Sequence, residues 1–220
     1  MRRAARSTIL GFAAVFAAGP LLAQVGAPAA KKGVSITPYI GVNIPTADLY
    51  TIGSGTTAET TKIAVGLTFG GRLGIGLGQR FGIEGDVGYS PGSVDFETGA
   101  GGTTTFNQDV RILSGSGRAT FYLIPRTSPF WIGVSGGVAA IRHTFKAGTV
   151  GSPNVTPGTN VGGVIGASAG IRIGRLIALN IGAEDYLYNA SFDVNGTKTA
   201  ETKQHDIRIT GGIRVPFLGF

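Results

Sequence analysis

From Val34 onward the chain alternates apolar residues with small or polar ones at a period of two, the mark of strands whose faces meet different surroundings. Phe81, Ile83, Val87 and Tyr89 share one parity, while Gly82, Glu84, Asp86 and Gly88 share the other. Ile63, Val65, Leu67, Phe69, Leu73 and Ile75 alternate with Ala64, Gly66, Thr68, Gly70, Arg72 and Gly74, and Ile207, Ile209, Ile213 and Val215 with Arg208, Thr210, Gly212 and Arg214. A helix would space its apolar residues three and four apart. The pattern predicts eight strands: Val34–Ile44, Lys62–Leu77, Arg80–Ser90, Asp109–Ile124, Pro129–Phe145, Val161–Ile173, Leu176–Ala190 and His205–Phe217.

The predicted connections alternate too. Gly78-Gln79, Pro125 to Ser128 and Gly174-Arg175 are tight turns, whereas Pro45–Thr61, Pro91–Gln108, Lys146–Asn160 and Ser191–Gln204 are long, polar and expected to be solvated. Short turns at one end and long loops at the other are the asymmetry of a transmembrane β-barrel, and an even strand number puts both termini at the short-turn, periplasmic end. The expected fold is all-β, an eight-stranded antiparallel up-and-down transmembrane barrel over residues 34–220.

Which face is outside follows from the polar face. A water-facing surface is rich in Lys and Glu, but here the polar parity is mostly Gly, Ser, Thr and Ala with isolated charges. Small residues suit the crowded lumen of a narrow barrel. Its charges, Arg72, Glu84, Asp86, Arg118, Arg172, Glu184, Arg208 and Arg214, include both signs and are expected to form a buried ion-pair network. Phe81, Phe121, Phe130 and Phe217 fall at the periplasmic ends of their strands as an aromatic girdle, with Tyr50, Tyr89, Phe145 and Phe192 as candidates for the opposite belt. Three features break the scheme. Asp185 has the lipid-facing parity and Trp131 the lumen parity, while Val110 and Ile112 share the parity of Ser114 and Ser116, which suggests a bulge in the fourth strand.

Composition supports export. Arg2, Arg3 and Arg6 precede an apolar stretch, Ile9 to Ala18, then Pro20 and a cleavage point near Ala23, with Ala29 as a second candidate. This reads as a signal peptide over residues 1–23, followed by a short periplasmic segment over 24–33. The stretch is too short for a membrane-spanning helix. Without the three leader arginines the charge falls from +7 to 16 basic against 12 acidic residues, and no basic run interleaved with aromatics suggests nucleic-acid binding. The absence of Cys removes disulfides and thiolate chemistry.

On this architecture, residues 34–220 resemble the outer-membrane β-barrel domain superfamily, which includes the OmpA transmembrane domain and OmpX-like proteins. The resemblance implies residence in the outer membrane, contact with its lipid, and recognition by the barrel assembly machinery through a C-terminal aromatic, Phe217 or Phe220. A monomer is expected, with no cofactor. The resemblance is to the barrel alone, and no peptidoglycan-binding domain like that of full-length OmpA-type proteins is expected.

Some small barrels of this kind modify lipid A, which makes catalytic chemistry a candidate. His143 and His205 are the only histidines, both placed near the outer rim as solvated residues, with Asp185, Asp206, Thr144 and Ser191 within possible reach. No nucleophile–His–carboxylate spacing is evident, and no third ligand completes a metal site. Glu84 and Glu184 read as salt-bridge partners of the lumen arginines. The expectation is a non-enzymatic barrel with a plugged polar lumen that serves envelope integrity or surface interaction. The alternatives are a small-solute or ion channel, a lipid A-modifying enzyme, and a soluble lipocalin-like carrier with its apolar face inward.

Overall fold

The computed structural model describes residues 33–52, 59–98, 103–146, 154–173 and 177–218, without the side chains of 50–60, 95–107 and 217–218. The expected signal peptide, most of the segment that follows it, the Gly174-Arg175 turn, Phe220 and the side chains of Tyr50 and Phe217 lie outside these residues. Thirteen strands are described: β1 (Val34–Pro45), β2 (Tyr50–Ile52), β3 (Glu59–Ile63), β4 (Gly66–Gly76), β5 (Phe81–Thr98), β6 (Thr103–Ile124), β7 (Phe130–Phe145), β8 (Val155–Thr156), β9 (Gly158–Ile173), β10 (Ile177–Ala190), β11 (Asp193–Val194), β12 (Thr197–Lys198) and β13 (Thr202–Leu218). Eight of them, β1, β4, β5, β6, β7, β9, β10 and β13, pair in sequence order, and β1 pairs with β13 to close an antiparallel barrel. Closure leaves no exposed edge, which a bilayer requires because lipid offers backbone groups no hydrogen bonds.

The apolar parity faces out. Ile40, Val87, Val138, Val161 and Ile181 are each more than 60% exposed, within a continuous band that also includes Leu67, Leu73, Ile83, Ile165, Leu179 and Ile209. An apolar surface this extensive is untenable in water and suits lipid. It excludes the inside-out carrier. Val34 pairs with both Ile75 and Leu218, so the ends of the first and last strands lie beside the short turn that follows β4.

Two corrections concern the strands. The expected loop Pro91–Gln108 is largely ladder: β5 and β6 continue beyond the apolar band, with Pro91 opposite Arg111 and Val94 opposite Gln108. Lipid contact is what imposes apolar alternation, so beyond the band the ladder continues without that signal. The expected bulge at Val110 and Ile112 is absent, since the register of β6 against β5 and β7 runs unbroken there. Register irregularities fall elsewhere, at Val34/Ser35, Phe96/Glu97 and, within β6 itself, Tyr122/Ile124, and a one-residue offset separates β3 from β4. Ile63 sits opposite Val94, Phe69 sits opposite Tyr89, and the one-residue offset turns Ile63 inward.

Val110 and Ile112 keep the lumen parity because the outer third of the interior is apolar. They pack with Ile63, Val94, Ile141, Phe145, Tyr188 and Phe192 in one buried cluster. Val155 and Val194 join it from β8 and β11, which with β12 form a small three-stranded sheet. The turn between β11 and β12 is Asn195-Gly196, both at positive φ (53° and 83°), the conformation that suits a two-residue hairpin. The expected solvated loop Ser191–Gln204 therefore contains a structured hairpin. Phe145 and Phe192 belong to the outer core and not to an outer aromatic belt.

Candidate functional site

The middle of the lumen is a charged layer. Asp86 on β5 lies 3.1 Å from Arg72 Nε on β4, 3.3 Å from Arg208 Nη1 on β13 and 3.8 Å from Arg118 Nη2 on β6. Glu184 on β10 faces Arg72 Nη2 at 2.5 Å and Arg118 Nη1 at 2.6 Å. Glu84, one step nearer the periplasm, is 3.4 Å from Arg118 Nε. Three guanidiniums thus meet three carboxylates, and all but Glu84 are nearly fully buried. The balance matters because a buried charge without a partner costs several kcal/mol.

Tyrosines tie the layer together. Tyr39 and Tyr186 donate to Asp86 Oδ1 at 3.2 and 3.4 Å, and Tyr186 also donates to Glu184 Oε2 at 3.3 Å. Arg72 stacks over the Tyr39 ring at 4.8 Å and Arg208 over Tyr186 at 4.5 Å. Arg208 Nη2 donates to Ser114 Oγ at 2.6 Å. Gly88 makes room for this crossing: a Cβ there would come within 2.6 Å of Arg208 Nη1 and 2.7 Å of the Tyr39 hydroxyl. The charge pattern of the sequence did not reveal these tyrosines. Tyr186 shares the parity of Glu184 and Tyr122 that of Arg118, which was the available signal.

Two residues expected in the network stand apart from it. Arg172 is exposed at the periplasmic mouth, where its Nη2 donates to the Arg126 carbonyl at 3.2 Å. Arg214 is buried, donates from Nη1 to the Tyr122 hydroxyl at 3.4 Å and lies 5.9 Å from the Trp131 ring. Among the described residues neither has a carboxylate at salt-bridge distance. The reason is position: both sit below Glu84, the last lumen acid toward that end. Trp131 does face the lumen, 2% exposed, packed with Tyr122 and Ala178 and lying directly against Gly170, where a Cβ would collide with its ring.

At the outer end the two histidines part company. His143 is fully buried beneath Phe192, with its Nε2 at 3.4 Å from the Tyr188 hydroxyl, which donates to Asp206 Oδ2 at 2.8 Å. The expectation of a solvated rim residue applies to His205 alone, which faces outward with Nδ1 at 3.3 Å from Asp185 Oδ2. Asp185 thus keeps the lipid-facing parity without a bulge, and the end of the apolar band gives it a polar partner. Among the described residues, no serine or threonine hydroxyl bonds either imidazole, and no three potential metal-ligating side chains cluster. On the exterior of the periplasmic end, Phe81 and Phe121 pair across strands with ring centroids 5.1 Å apart, and Phe130 is 44% exposed nearby in the fold. At the other edge Phe69 and Tyr89 pair at 5.3 Å.

No protein-family model and no curated protein matches the sequence. Solved structures do match. The outer membrane protein OprG from Pseudomonas aeruginosa superposes with a TM-score of 0.60 at 13% identity, covering 86% of this chain and 97% of that one. AlkL, an outer membrane protein solved in DMPC bilayers, gives 0.56 at 14% identity, covering 87% and 93%. Neisserial surface protein A gives 0.50 at 13%, covering 84% and 97%. At such identities the likeness speaks for the fold, and with the lipid-facing apolar band it leads to one conclusion: the chain has the fold of the outer-membrane β-barrels.

Proposed function

We propose that this protein is a non-enzymatic, monomeric outer-membrane barrel with a sealed lumen, serving envelope integrity or surface interaction through its outer end. The observation that carries the reading is the charged layer. Arg72, Arg118 and Arg208 reach across from three strands to Asp86 and Glu184, all five at most 5% exposed. An eight-stranded barrel has room for its own side chains and little else. The apolar core adds a second closure at the outer end. The histidines favour no hydrolase: His143 is enclosed among aromatic rings, and His205 is engaged by a carboxylate on the lipid side. Assembly would proceed through the C-terminal aromatic, Phe217 or Phe220.

Planar-bilayer recordings of the purified barrel test the seal. Silence is expected at applied voltages, and stable conductance steps would replace this reading with a channel. In cells, deletion should sensitise the envelope to detergent, and lipid A should be unchanged by overexpression or by His143→Ala and His205→Ala.

A further inference from the structure

Balance in the charged layer leaves arginines over at one place. Arg126, in the turn between β6 and β7, Arg172 at the end of β9 and Arg214 on β13 line a single cavity of about 30 Å³ together with Trp131. None of the three has a carboxylate at salt-bridge distance among the described residues. Glu84, the nearest acid toward this end of the lumen, is already 3.4 Å from Arg118.

Three like charges around one small cavity repel one another. Burial and the neighbouring Arg214 together push the Arg126 guanidinium below its ordinary pKa. Arg214 is more than nine-tenths buried and its Nη2 has no hydrogen-bond partner, an arrangement that costs free energy until an acceptor arrives. The planar forks of arginine match the paired oxygens of phosphate and carboxylate. A cavity of this size takes one or two atoms the size of a water, so an anion would seat its oxygens inside and keep its remainder at the open mouth.

We propose that Arg126, Arg172 and Arg214 form an oxyanion-binding site at the periplasmic mouth of the lumen that takes phosphate-type groups. The group could arrive as free inorganic phosphate or as the phosphomonoester of a lipid in the inner leaflet of the outer membrane. The site is independent of whether the lumen conducts.

Trp131 is the only tryptophan in the chain and lines this cavity, so its emission reports occupancy directly. The full chain in detergent micelles would be titrated with inorganic phosphate and, separately, with short-chain phosphatidic acid, against sodium chloride at matched ionic strength. A saturable change with phosphate identifies a free-anion site, and a change only with phosphatidic acid identifies the lipid source. In Arg126→Gln/Arg172→Gln the half-saturating concentration should rise at least tenfold. Both residues lie at the mouth, and an unchanged shift in gel mobility on boiling would show that the variant still folds. No saturable change with either ligand, or an unaltered titration in that variant, would overturn the proposal.

Discussion

Around Asp86 the lumen is held by ions, whereas toward the outer end, around Ile112, Ile141 and Phe192, apolar side chains predominate, with His143 and Asp206 buried among them. The two fillings differ in what they demand. In the charged layer each group depends on several others at once: Arg118 faces Glu84, Asp86 and Glu184, and Asp86 faces three arginines and two tyrosines. Removing one carboxylate strands buried cations. In the apolar core, contact is non-directional, and a lost methylene costs its own transfer free energy plus a small void. The charged layer is therefore expected to tolerate substitution less well than the outer core.

The largest effect expected is from Glu184→Ala, which leaves Arg72 and Arg118 each short of a close partner. It should cost about 3–5 kcal/mol, read from urea unfolding in lipid vesicles. A double-mutant cycle with Arg118→Met would sharpen this, because the pair shares one site and should deviate from additivity by about 0.5–3 kcal/mol. Next is Ile209→Arg, on the lipid face near the middle of β13, at about 2–4 kcal/mol in the same assay if that face meets hydrocarbon. In the outer core Ile112→Val should cost only about 0.5–1.5 kcal/mol. A loss there as large as that of Glu184→Ala would erase the distinction between the two fillings. The smallest effect belongs to Asp185→Asn, which should change stability by less than about 1 kcal/mol because its partnership with His205 is largely solvent-exposed.

The strands and the outward face were legible because lipid enforces a strict rule on every second residue. Phe81, Ile83 and Val87 could be placed outside from parity alone, and the lumen charges from the opposite parity. The outer core was not legible, because an apolar residue facing another apolar residue inside the barrel has the same side-chain chemistry as one facing lipid. Val110 and Ile112 held the one clue, a parity shared with Ser114, and a bulge was the wrong inference from it. The offset between Ile63 and Gly66 left no mark in composition. Among the lumen charges, parity identified side but not depth. Arg172 and Arg214 have the correct side, yet they sit below the carboxylates and outside the ion-pair layer. Trp131 broke the scheme by its lumen parity, and the structure keeps it on that side, packed with Tyr122 and Ala178.

Cell fractionation followed by electrophoresis of boiled and unboiled samples tests whether the protein is a closed barrel with its apolar face in lipid. The expected result is a band in the outer-membrane fraction whose mobility changes on boiling, because a detergent-resistant barrel migrates as a compact body until heat opens it. A band in the soluble periplasm with the same mobility before and after boiling would contradict it.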